Sequence, residues 1–136
     1  MLPHKHFLIA GLTIVPAAII LSPEKSVTEI GKWVLIGGII SSAIDLDIIT
    51  LVFLKSKKEK RLRLFRDPLE IYRKFELFMD TIIETGVLKI GLKTHLILSP
   101  IIIVASYFLA ANYFVPVLLG VVSHILSDLP YLKKIY

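Results

Sequence analysis

The chain has no cysteine among its 136 residues. Disulfides, thiolate metal ligands and cysteine nucleophiles are therefore excluded. Formal charge is missing over long stretches as well. The run Phe7 to Leu21 has none, Trp33 to Leu54 has only Asp45 and Asp47, and Thr94 to Leu132 has only Asp128. Neither an internal repeat nor a low-complexity tract is present. A phosphate-cradling glycine loop is missing too: the pair Gly37-Gly38 sits inside an apolar run, where it reads as helix packing.

What remains is strongly apolar. Hydrophobic residues make up 55% of the chain, and the mean hydropathy is +0.76. A soluble domain of this length has too small an interior to hide that much apolar surface. The expected fold is all-α: an integral membrane bundle of four transmembrane helices plus one cytoplasmic amphipathic helix, in a single domain over residues 1–136. The spans fall at about 6–22, 33–54, 90–111 and 113–132, since a bilayer crossing needs about 20 residues. Ser22-Pro23-Glu24-Lys25 closes the first, and three further apolar stretches make it a retained span rather than a cleaved signal. Asn112 turns the last long run back on itself, with Pro116 near the next helix start.

A charged segment, 55–89, separates the second and third spans. Asp67-Pro68-Leu69-Glu70 predicts a helix start, with Asp67 as N-cap, Pro68 at the first position and Glu70 as capping-box partner. Leu69, Tyr72, Phe75, Met79, Ile82 and Ile83 then recur at helical spacing up to a stop at Gly86. An amphipathic helix on the membrane surface fits this pattern, and a short cytosolic helical hairpin fits nearly as well.

The +5 net charge does not point to nucleic acid, because the basic residues crowd beside apolar spans. There they set orientation and attract lipid headgroups. With four alternating spans, fourteen of the sixteen Lys and Arg residues fall on the side of both termini, and only Lys25 and Lys32 on the other. The positive-inside rule then makes this a multi-pass protein of the cytoplasmic membrane with both termini in the cytoplasm.

The same topology gathers His6, Asp45, Asp47, His95, His124 and Asp128 in the cytoplasmic half of the bundle, drawn from all four spans. An aspartate within a span costs about 2.5–3.5 kcal/mol on insertion scales. Three of them need a shared positive partner, which predicts a bound metal ion. Zinc suits His and Asp donors first, with manganese or iron(II) as alternatives. His124 and Asp128 lie four apart on one helix face, either both as ligands or with Asp128 orienting the imidazole. Asp45 and Asp47 diverge by about 200° on a regular helix. They converge only if the helix breaks; otherwise one of them supports the other's site from outside. Gly37, Gly38, Ser41 and Ser42 predict close helix packing.

Gly120-Val121-Val122-Ser123-His124-Ile125-Leu126-Ser127-Asp128 resembles the C-terminal motif of the membrane-bound metal-dependent hydrolases, the LexA-regulated, YdjM-like group of inner-membrane proteins. His6 with Phe7-Leu8-Ile9-Ala10-Gly11, Ala43-Ile44-Asp45-Leu46-Asp47 and Thr94-His95 are similar to that family's other motifs, in the family's order. The resemblance implies that His6, Asp45, Asp47, His95, His124 and Asp128 are metal and catalytic positions. Two places depart from it. Ile48 stands where the family often has His, and Gly91 alone remains of a His-Arg-Gly triplet.

On this reading the chain is a metal-dependent hydrolase of the inner leaflet. Metal-activated water would attack a lipid-borne anionic substrate such as a phosphoester, with Asp47 as the proton acceptor. Membrane lipids, and no nucleic acid, are the expected partners. Two alternatives stand beside it: a non-catalytic protein stapled by its metal, and a cation or proton transporter. Against transport, the outer halves Thr13 to Ile20 and Val104 to Ala111 carry no ionisable group.

Overall fold

The structure is a computed structural model describing residues 2–132. Lys133 and Lys134, counted above on the basic side, lie outside the described residues. Seven α-helices follow in order: α1 Pro3–Leu21, α2 Val27–Ala43, α3 Leu46–Lys55, α4 Pro68–Arg73, α5 Phe75–Glu84, α6 Val87–Leu109 and α7 Phe114–Leu132. Two 3-10 segments, Lys60–Arg66 and Ala111–Tyr113, complete the chain, and there is no strand among the described residues.

Four helical stretches are long and apolar enough to cross a membrane: Pro3–Leu21, Val27–Lys55 (α2 with α3), Val87–Leu109 and Ala111–Tyr131. Their outward residues are apolar, with Leu12 and Ile20 each 76% exposed and Leu109 85% exposed. So large an apolar surface is stable only against lipid. The protein is a helical membrane protein.

Local chemistry sets where each helix begins. Pro3 occupies the first turn of α1. A full capping box starts α2 six residues before the expected boundary: Ser26 Oγ accepts from the Glu29 N–H, and the Glu29 carboxylate accepts from the Ser26 N–H. Gly86 adopts a left-handed conformation (φ 68°) that ends α5 and lets α6 leave at once. The tight turn between the last two spans falls at Ala111–Tyr113, around Asn112 as expected.

Glycine brings α1, α2 and α7 into close contact. A methyl group added at Gly120 would collide with the Gly37 carbonyl, one at Gly37 with Pro116 and Ile14, and one at Gly38 with the Phe7 ring. Ser42 Oγ donates to the Pro3 carbonyl (2.8 Å) and Ser41 Oγ to that of His6 (3.4 Å), pinning the start of α1 against the end of α2. Below these contacts Ala10, Ile14, Ala18 and Trp33 form the far core, and Ile44, Val117 and Val121 the middle one.

The charged segment forms a cap over one end of the bundle, with its own apolar core. Of the two readings of this segment, one amphipathic helix or a short helical hairpin, the structure departs from the first: Lys74 (φ −125°, ψ 44°) interrupts the helix and leaves two. The break turns the two apolar faces relative to each other. Ile71 and Phe78 point inward with Leu62, Phe65 and Ile82, whereas Leu69 and Tyr72 are exposed. Asp67 caps α4 by accepting from the Leu69 N–H (2.9 Å). Glu70 pairs with Lys74 (2.9 Å) instead of closing a capping box. That hydrogen bond from the Lys74 ammonium holds the Glu70 carboxyl below its usual range. The cap core rests on Ile48 and Val52 of α3 and on Val87 and Leu88 of α6.

Candidate metal centre

The centre lies at the bundle end under the cap, where α1 begins, α6 begins and α7 nears its end. His6 projects from the first turns of α1, His95 from the third turn of α6, and His124 and Asp128 from one face of α7. Asp45 sits at the junction of α2 and α3. There the helix tightens for one turn, with the Asp47 N–H donating to the Ile44 carbonyl (3.3 Å), and the span continues.

His6, Asp45, His124 and Asp128 are all buried, and one ligand atom from each lies within 4.8 Å of every other. His6 Nε2 is 3.3 Å from Asp45 Oδ2 and 3.5 Å from Asp128 Oδ1. His124 Nε2 is 3.3 Å from Asp128 Oδ2 and 3.8 Å from Asp45 Oδ1. Donors about 2.0–2.1 Å from a tetrahedral ion sit about 3.3 Å apart; each of these histidine Nε2 atoms meets a different oxygen of each carboxylate at 3.3–3.8 Å, and one atom from each residue falls within 4.8 Å of the others. His95 joins from the side, its Nε2 3.5 Å from Asp45 Oδ1 and its ring centroid 5.1 Å from that of His124. His6, Asp45, His124 and Asp128 form a group that can hold a metal ion, and His95 borders it.

Proton positions sharpen the fit. Ser127 Oγ lies 2.9 Å from His6 Nδ1, within hydrogen-bond reach, and 2.8 Å from the His124 carbonyl. His95 Nδ1 donates to Asp47 Oδ2 at 2.9 Å. A proton therefore sits on His95 Nδ1, and Nε2 of both rings faces the carboxylates. Lone pair against carboxylate is repulsive. Consistently, His6 Nε2, His95 Nε2, both ring nitrogens of His124 and Asp45 Oδ2 are buried without a hydrogen-bond partner. Orphaned acceptors converging in a low-dielectric interior call for a cation.

Asp47 stands apart from the other five residues. It faces α6, where Oδ2 takes hydrogen bonds from His95 and from the Thr94 hydroxyl. It reaches the cluster only through the His95 ring. Asp45 and Asp47 therefore diverge as helical spacing requires, one inward and one behind a histidine. Ser127 is the partner that sequence reasoning did not assign. Its signal was its place in the turn linking His124 to Asp128. Ile48 and Gly91, the two departures from the family pattern, face each other: a methyl group at Gly91 would lie 2.6 Å from Ile48 Cγ1.

Two clefts reach the cluster. One runs between the cap and the bundle and has Asp45 and Asp128 in its wall. The other opens sideways between α6 and α7 beside His95 and Asp128. Asp128 borders both. Comparison of the chain with family models, with curated proteins and with solved structures finds no match.

Proposed function

We propose that the protein is a metal-dependent hydrolase acting on an ester or phosphoester carried by a membrane lipid. The orientation that best accounts for the charge distribution puts the cap and the cluster at the cytoplasmic leaflet. One observation carries the reading: the Nε2 atoms of three histidines, from three spans, face two buried carboxylates without a hydrogen bond. The resemblance to membrane-bound metal-dependent hydrolases runs through the same residues and supports it.

His6, Asp45 and His124 would hold the ion, with His95 beside them, and a donor set without thiolate suits zinc. A bound divalent ion supplies Lewis acidity and a water whose pKa is drawn toward 7. Asp128 borders both clefts, where its carboxylate would be placed to accept a proton from a water at the ion. Asp47, expected from sequence as that base, instead keeps His95 in its Nε2-presenting tautomer and acts as a positioning residue. A non-catalytic staple would use the same ligands but gives no reason for Asp128 to border two clefts.

Elemental analysis of protein purified in detergent tests the proposal. One divalent ion per chain is expected, with Asp45→Asn and His124→Ala each losing both the ion and turnover while the helical circular dichroism persists. A native protein without a stoichiometric ion would overturn it.

A further inference from the structure

The cap and the bundle enclose a cleft whose lining is apolar apart from the cluster's own Asp45 and Asp128 and the ring of Tyr131. Ile48 comes from α3, Leu92 from α6, Ile71 from α4, and Phe75 and Met79 from α5. Its volume is only about 50 Å³, so it is a slit rather than a chamber. Water gains little in such a slit, since few hydrogen-bonding groups line it. A slim flexible apolar ligand suits it, and Met79 adds a wall that can adjust its shape.

The neighbouring slot between α6 and α7 shares Leu92 and Asp128 with this cleft. Its rim residues Leu96 and Leu129 are 63% and 45% exposed on the lipid-facing surface. A molecule in the bilayer can therefore reach the carboxylates sideways, without leaving an apolar environment. The cap also shows apolar side chains, Leu69, Tyr72 and Leu77, among its charged ones. That composition seats it on the membrane surface.

We propose that the cleft under the cap is a site for one hydrocarbon chain of a membrane phospholipid, admitted between α6 and α7, with the lipid's polar end at Asp45 and Asp128. The placement of the polar end rests on the hydrolase reading, because an anionic headgroup approaches two carboxylates only across a bound cation. The chain site itself rests on the cleft alone.

The test uses the full chain in nanodiscs containing a phospholipid with a diazirine near the end of one acyl chain. Irradiation is expected to label Phe75 or Leu92 in addition to outward residues such as Leu12 and Phe108. Met79→Trp, which fills the cleft, should lower the labelling at Phe75 and Leu92 at least tenfold and leave Leu12 unchanged. Leu92→Trp, read at Phe75, is the second variant should the first not fold. Labels confined to outward residues, or cleft labels that survive both folded variants at full strength, overturn the chain site. Bound metal measured on the same samples separates the two claims. Cleft labelling without metal supports the chain site and sinks the hydrolase reading, whereas metal without cleft labelling sinks the chain site alone.

Discussion

Replacing Gly120 by alanine puts a methyl group where α7 and α2 leave no room for one. The new Cβ would lie 2.9 Å from the Gly37 carbonyl carbon and 3.0 Å from its Cα, with the Gly37 oxygen closer still. Carbon pairs rest at about 3.5–4.0 Å, and no rotamer change relieves a clash with backbone. Helix α7 must therefore move by about half an ångström or more, and His124 lies one turn further along it. Metal sites tolerate donor displacements of about 0.2 Å. The expected outcome is a loss of about 1–3 kcal/mol from overpacking, together with a fall in metal affinity of about 10–100-fold, the range seen when a ligand's support is removed. Gly31→Ala is the control, because nothing lies within 4 Å of a Cβ there, and helix propensity favours alanine by up to about 1 kcal/mol. Thermal unfolding in detergent and metal titration against a chelator read the two effects. If Gly120→Ala matches Gly31→Ala in both, the helices are not held at this contact and the reasoning is wrong.

Asp47→Asn should leave one ion bound per chain but weaken its affinity about 10–100-fold, since His95 loses the carboxylate that fixes its tautomer; an unchanged chelator titration would remove Asp47 from the site's support. Phe65→Ala empties a fully packed position in the cap core, where Phe65 stacks edge-on against Phe78 at 5.2 Å. A destabilisation of about 3–5 kcal/mol at the cap is expected, seen as faster proteolysis between residues 56 and 86 with the spans intact. Equal proteolysis rates would show that the cap has no cooperative core.

Much of this architecture was legible in the residues. Charge-free runs of membrane length are unambiguous, and Asn112 and Gly86 mark their turns by backbone chemistry alone. Convergence of the histidines and aspartates followed from span parity, which needs no side-chain detail. The cap was less legible. Its apolar residues fit one continuous helix, and only the tertiary pull of Leu62, Phe65 and Phe78 makes a break at Lys74 favourable. The role of Asp47 was open for a similar reason. Helical spacing separates it from Asp45, but only the position of α6 decides that it meets His95 and Thr94. Ser127 was not assigned despite its place in the turn linking His124 to Asp128, because a serine in a helix commonly bonds its own backbone and its second contact, to His6, spans almost the whole chain.

That last contact bears on how the protein is made. His6 and Ser127 are 121 residues apart, so at roughly 5–20 residues per second the ribosome finishes one about 6–24 s after the other. Helix α7 brings His124, Asp128 and the hydroxyl that meets the His6 ring together, after the first three spans. Until it inserts, the nascent chain offers only scattered groups to a passing ion. If the cluster binds metal as proposed, a chain stalled after its third span lacks His124 and Asp128 and should stay empty.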